Sequence, residues 1–144
     1  VSASVLIACT GFLLAVLWID LMFDSHPDVD ATSAYYRRAT TTGQPRGALI
    51  AVVMLTLLAA LGAQAAMGES PAWLLGVSAV LAGGPILLAL SRTVPAAVRL
   101  GSRTDDIAGQ TRLARRIRRD HRLSLSGMAL LLALWLFTGG GWPR

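Results

Sequence analysis

Two stretches decide the fold: GALIAVVMLTLLAALGAQAAMG (Gly47–Gly68) and SPAWLLGVSAVLAGGPILLALS (Ser70–Ser91), which flank a single acid, Glu69. Each runs for 22 residues without a charge. A helix needs about 20 apolar residues to cross the hydrocarbon core of a bilayer. Neither stretch alternates as a membrane strand would. A helix satisfies its own backbone polar groups, which lipid cannot do. The pair therefore reads as a tight hairpin of two membrane-spanning helices, with Pro71 suited to the first turn of the second. Pro85, after Gly83 and Gly84, removes a backbone donor in mid-span and predicts a kink.

Outward from the hairpin, Val1–Ile19 and Leu123–Pro143 are also free of charge. The first lacks a basic leader and a cleavage site and ends in Asp20-Leu21-Met22-Phe23-Asp24, so a retained span is expected. The chain is 54% hydrophobic and 15% charged, where a soluble domain carries roughly a quarter charged residues. The expected fold is all-α: a single domain, 1–144, forming a four-helix transmembrane bundle. Its spans cover about 1–23, 47–68, 71–92 and 123–141, and its polar loops 25–46 and 93–122. The lone cysteine, Cys9, excludes an intramolecular disulfide.

All thirteen basic residues are Arg; eleven fall in the two polar loops and Arg92 ends span three on the same side, so the one exception is Arg144. The positive-inside rule then places both loops in the cytoplasm and both termini outside a bacterial-type inner (plasma) membrane. Trp73, Trp135 and Trp142 are expected at the outer interface, with Trp18, Tyr35 and Tyr36 at the inner one. Within the second loop, Ile107, Leu113, Ala114, Ile117 and His121 share one helical face, and Asp105 and Asp106 suit a helix N-terminus. This predicts an amphipathic cytoplasmic helix over 105–122 that leads into the last span and rests on anionic headgroups. No aromatic interleaving supports nucleic-acid binding by the arginines.

Lipid is as apolar as leucine, so close approach of small residues is expected to hold the spans together. Ala48, Ala51, Ala59, Gly62 and Ala66 form one such stripe, and Gly76, Ala79, Gly83 and Gly84 another. They leave room for self-association or for a larger membrane complex. Gln64 is the most polar side chain deep in its span and a candidate for an interhelical hydrogen bond.

Asp20 and Asp24 lie one turn apart on one face of span one, with Asp20 about 6 Å deeper in the membrane. A carboxylate at that depth is costly unless paired, and marks a functional site. Topology brings Arg92, His121 and His26 to the same membrane surface. His121 is the candidate general base, Asp20 and Asp24 its support, and Arg92 the group that holds an anionic oxygen. The sequence carries no metal motif, and neither His26 nor His121 lies within a span where a haem would need them; no metal and no cofactor are expected.

Span three exits through Thr93-Val94-Pro95-Ala96-Ala97-Val98-Arg99-Leu100, and Arg118-Arg119-Asp120-His121 opens the last span. On these segments and the layout of the whole chain, the protein resembles the anthrone oxygenase-like family of small four-helix membrane proteins. The family's exit-segment Asn is Ala97 here. The resemblance implies cofactor-independent oxidation of a phenolic, lipophilic small molecule, with His121 as the matching residue. The alternative expectation is a non-enzymatic accessory or assembly subunit of a larger membrane complex.

Overall fold

The computed structural model describes residues 2–25, 28–41, 45–68 and 70–138. Helix α1 (Ser2–Asp24) crosses the bundle, and a short helix α2 (Val29–Thr40) folds across its end. The hairpin follows as α3 (Pro45–Met67) and α4 (Ala72–Leu88). A π-helical turn (Ala89–Thr93) carries α4 into α5 (Val94–Ser102), and α6 (Ile107–Thr138) closes the chain. Four helical stretches are long and apolar enough to span a membrane: Ala3–Asp24, Pro45–Met67, Ala72–Ser102 and Ile107–Thr138.

Each uncharged run falls largely on one of these helical stretches, and the segments between them are largely helical too, beyond the helix expected over 105–122. Residues 25–46 contain α2, whose start is fixed by Asp28: its carboxylate accepts from the Asp30 N–H at 2.9 Å. Asp30 in the first turn and Arg37 and Arg38 in the last complement the helix dipole. Residues 93–122 hold α5 and the first half of α6, which then runs unbroken into the span. Asp106 caps α6 by accepting from the Gly109 N–H at 2.8 Å. The α5–α6 turn is closed by Arg103 in the left-handed region at φ 53° and by a two-bond pair between Arg99 and Asp105. That guanidinium holds the Asp105 carboxyl below the usual carboxylate range.

The helix continues through Pro85, and the departure from α-geometry comes one turn later. There the Val94 N–H reaches back to the Ala89 carbonyl. This wider turn sits directly before Pro95, whose ring would otherwise meet the carbonyl of the preceding turn.

Two packing layers result. The membrane layer joins Leu6 and Leu13 of α1, Leu57 and Leu61 of α3, Leu74 and Ala82 of α4, and Met128, Leu131 and Trp135 of α6. The second layer joins Tyr36 of α2, Ala96, Ala97 and Leu100 of α5, and Ala114 and Ile117 of α6. The apolar face of 105–122 is therefore spent on α2 and α5 rather than on headgroups. Ile107, assigned to that face, is instead 80% exposed. Gly101 lets α5 lie directly on α2, since a Cβ there would stand 2.9 Å from the Arg37 backbone nitrogen.

The small-residue stripes do not hold the bundle together. Ala48, Ala51, Ala59, Gly62 and Ala66 all face outward, and a Cβ on Gly62, Gly76, Gly83 or Gly84 would meet nothing within 4 Å. Larger residues at helical spacing do the packing, together with polar contacts. Trp135 Nε1 donates to Ser78 Oγ at 2.9 Å inside the membrane layer, so Trp135 is an internal residue and not part of an interfacial belt. Ser70 in the hairpin turn donates to Gln64 Oε1 at 2.9 Å. Trp18 and Trp73 are exposed, as interfacial anchors should be. Trp142 lies outside the described residues.

Candidate functional site

On α1, Leu6, Thr10, Leu13, Asp20 and Asp24 recur at helical spacing as one buried face. The two carboxylates thus continue the stripe that packs on the bundle, and they turn inward rather than toward lipid. On α6 the inward stripe reads Ile117, His121, Ser124, Met128, Leu131 and Trp135, changing from cap to membrane layer at His121 and Ser124. The polar residues gather where the two layers meet.

Asp24 is buried and bonded through both oxygens. Oδ2 lies 2.6 Å from His121 Nδ1, and Oδ1 accepts from the Tyr36 hydroxyl at 2.5 Å. Asp20 forms the neighbouring set: its Oδ1 accepts from Tyr35 and Arg46, and Arg46 also donates to the Tyr35 hydroxyl. Adjacent tyrosines on α2 therefore each serve one of two carboxylates spaced a turn apart on α1. Tyr35 is fixed further by stacking on Phe23, with ring centroids 4.1 Å apart, and by the Arg46 guanidinium 5.3 Å from its ring centre. Burial, reinforced by Asp24, pushes the Tyr36 hydroxyl far above the ordinary tyrosine range. Burial, followed by the hydrogen bond to Asp20, does the same for Tyr35.

With a carboxylate on Nδ1, a neutral His121 carries its proton there and leaves Nε2 as an acceptor. Among the described residues Nε2 has no protein partner, and His121 lines a cavity of about 490 Å³. Asp20, Tyr36 and Arg46 line the same polar end, while Leu13, Ile50, Met54, Pro85, Leu90 and Met128 supply apolar walls. The cavity lies between α3 and the α4–α5 arm. Helix α3 packs on α1 and α4 but not on the π-turn, α5 or α6, so the two arms part around the space.

Of the residues singled out from sequence, Asp24 and His121 meet directly, and Asp20 stands beside them at the cavity. Arg92 does not join them: it is exposed on the π-turn and does not line the cavity. The guanidinium at the site belongs to Arg46, at the start of α3. His26 lies outside the described residues. Tyr35 and Tyr36, assigned from sequence to an interfacial belt, are components of the site. The signal that could have found them is the cap and dipole pattern of α2, which sets the two rings over the end of α1. Asp120 is fully buried, and among the described residues neither of its oxygens has a hydrogen-bond partner; Arg119 Nε lies 3.9 Å from Oδ1. Among the described residues, no group of three or more His, Cys, Asp or Glu side chains is arranged to hold a metal ion.

Comparison with protein-family models, with characterised proteins and with solved structures finds no match to this chain.

Proposed function

We propose that this membrane-embedded helical bundle is an acid–base enzyme acting on a lipophilic small molecule, with His121 as the base and Asp24 as its support. The observation that carries the reading is the 2.6 Å contact between His121 Nδ1 and Asp24 Oδ2, with His121 on the wall of a largely apolar cavity. His121 Nε2 removes a proton from a hydroxyl or an activated C–H group. Asp24 stabilises the imidazolium that forms, and the Tyr36 hydroxyl keeps Asp24 in place. A positioned base of this kind contributes about 10²–10⁴-fold in rate. A cavity of this size suits a drug-sized organic molecule. The cofactor-independent oxidation of a phenolic substrate, implied by the family resemblance, begins with the same proton removal. Arg46, rather than Arg92, is the cation at the cavity, and it is paired with Asp20. The arginine bias of the α2, α5 and early α6 segments supports a cytoplasm-facing site in the plasma membrane, with the remaining arginines of α6 toward anionic headgroups.

The test uses protein purified into lipid nanodiscs with anthrone as substrate, followed by absorbance under air. His121→Ala and Asp24→Asn should each abolish the protein-dependent rate while Ser126→Ala retains it. An unaltered rate in the His121 variant would exclude this role.

A second reading, an accessory subunit of a larger complex, is favoured by the outward Ala and Gly stripe on α3. Co-purification of a stoichiometric membrane partner from mild detergent, lost on Gly62→Leu, would support it.

A further inference from the structure

Among the described residues, the buried hydroxyls find protein partners, with one exception. Thr10 bonds to the Leu6 carbonyl, Thr32 to Phe23 and Asp28, Ser33 to Gln110, Ser78 to Trp135 and Tyr36 to Asp24. Thr93 makes a long bond to the Leu88 carbonyl at 3.4 Å. Ser124 is 5% exposed, lines the cavity, and has no hydrogen-bond partner among the described residues. Serines within helices bond readily to the carbonyl one turn back. Ser126, two residues further on and facing out, does so with Arg122 at 3.0 Å. Ser124 is also one turn from His121, whose Nε2 is equally open. Two polar groups on one face of α6 thus stand without a protein partner among the described residues, on the wall of a largely apolar cavity.

The charged groups that line the cavity are already matched. Arg46 is paired with Asp20, and Asp24 is shared by His121 and Tyr36. Thr40 and Thr41, at the polar rim, bond to the carbonyls of Tyr36 and Arg37. The polar end offers hydrogen bonds rather than a spare cation. The cavity is also lined by Ala51 of α3 and Leu90 of the π-turn, both exposed on helices long and apolar enough to span a bilayer.

We propose that Ser124 and His121 form a two-point site for the neutral oxygen headgroup of a long-chain amphiphile, which enters sideways from the bilayer between α3 and the π-turn. Ser124 Oγ and His121 Nε2 hold one hydroxyl or carbonyl oxygen group. The hydrocarbon tail leaves past Ala51 and Leu90 and stays among the lipid chains. An anionic head is disfavoured, because the guanidinium that lines the cavity, Arg46, is already paired with Asp20. The inference deepens the acid–base reading, since it names the molecule presented to His121.

The test is photolabelling in phosphatidylcholine nanodiscs with a diazirine-bearing hexadecanol, compared with the hexadecanoic acid of the same chain. Adducts are mapped by mass spectrometry. The alcohol should label α3 and the π-turn saturably and be displaced by plain hexadecanol, with the carboxylate at least about tenfold weaker. Ser124→Ala should weaken saturation about fivefold, as for loss of one hydrogen bond, without lowering thermal stability, because the hydroxyl has no protein partner. Ser124→Thr should restore binding, and Ala51→Trp with Leu90→Trp should block labelling. Equal labelling by the carboxylate, an unaffected Ser124→Ala, or labelling that persists in the double tryptophan variant would overturn the proposal. Asp24→Asn should keep the labelling while losing proton transfer. Loss of labelling with anthrone oxidation intact would therefore remove the amphiphile site alone. Intact labelling with an unaltered rate in His121→Ala would remove the base alone.

Discussion

Asp24 Oδ2 and His121 Nδ1 are 2.6 Å apart across 97 positions of sequence, and they join the end of the first span to the middle of the last helix. The contact depends on α2, because Tyr36 holds the second oxygen of the same carboxylate. Loss of Tyr36 or His121 leaves one oxygen of the buried Asp24 unpaired, and loss of Asp24 leaves both of the others without this partner. Asp24→Asn and Tyr36→Phe should each destabilise the protein by about 1–3 kcal/mol. The double variant should cost clearly less than their sum, because the two residues share one interaction. Thermal unfolding in detergent measures this, and strict additivity would show that the Tyr36–Asp24 bond contributes nothing.

Gly101 and Gly62 should respond to alanine in opposite ways. At Gly101 a Cβ would stand 2.9 Å from the Arg37 nitrogen and 3.0 Å from its Cα, so α2 must move off α5. Overpacking of this kind costs about 1–3 kcal/mol, and here it also displaces Tyr36. At Gly62 nothing lies within 4 Å, and alanine should be neutral or stabilise the helix by up to about 1 kcal/mol. A Gly101→Ala protein as stable as the parent would mean that the two helices are not in contact.

The two tyrosines of the chain are both at the site. Both hydroxyls are held above the ordinary range, chiefly by burial. An unfolded tyrosine ionises near pH 10. The folded state then keeps protons that the unfolded state releases, so this contribution is complete below that pH and falls as pH rises beyond it. Tyrosinate absorbance should appear only with unfolding, as one cooperative step. A reversible titration near pH 10 in folded protein would contradict the burial of Tyr36 and the partial burial of Tyr35.

Asp120 presents the reverse case, a fully buried carboxylate with no hydrogen-bond partner for either oxygen among the described residues. Replacing such a group by an apolar side chain of similar volume is commonly neutral or stabilising by about 1–4 kcal/mol. Asp120→Leu should therefore raise the midpoint of thermal unfolding. A drop of several degrees would mean that the carboxylate holds a partner through which it contributes to stability.

The membrane-spanning helices were legible because a bilayer permits so few backbone solutions: an uncharged run of 22 residues leaves little choice. The inward turn of Asp20 and Asp24 was legible from period and depth together. Arg92 and Arg46 were not distinguishable, since both close a span on the same side. Only the π-turn, which leaves Arg92 outside, and the docking of α2, which brings Tyr35 to Arg46, separate them. Residues 25–46 were read as a polar loop because α2 is short and weakly apolar, although Asp28, Asp30, Arg37 and Arg38 mark both its ends. The small-residue stripes misled for a physical reason. Alanine and glycine allow close approach but do not compel it, and here leucine, methionine and tryptophan fill the contacts.

Helix α6 runs for 32 residues without a break, a rod of about 48 Å, and takes part in both packing layers. His121 lies near its midpoint, so the rod acts as a lever with the proposed base close to its fulcrum. Whatever grips the arginine-bearing arm shifts the tryptophan end in the opposite sense. The two layers cannot loosen independently, and the cap should melt together with the membrane half.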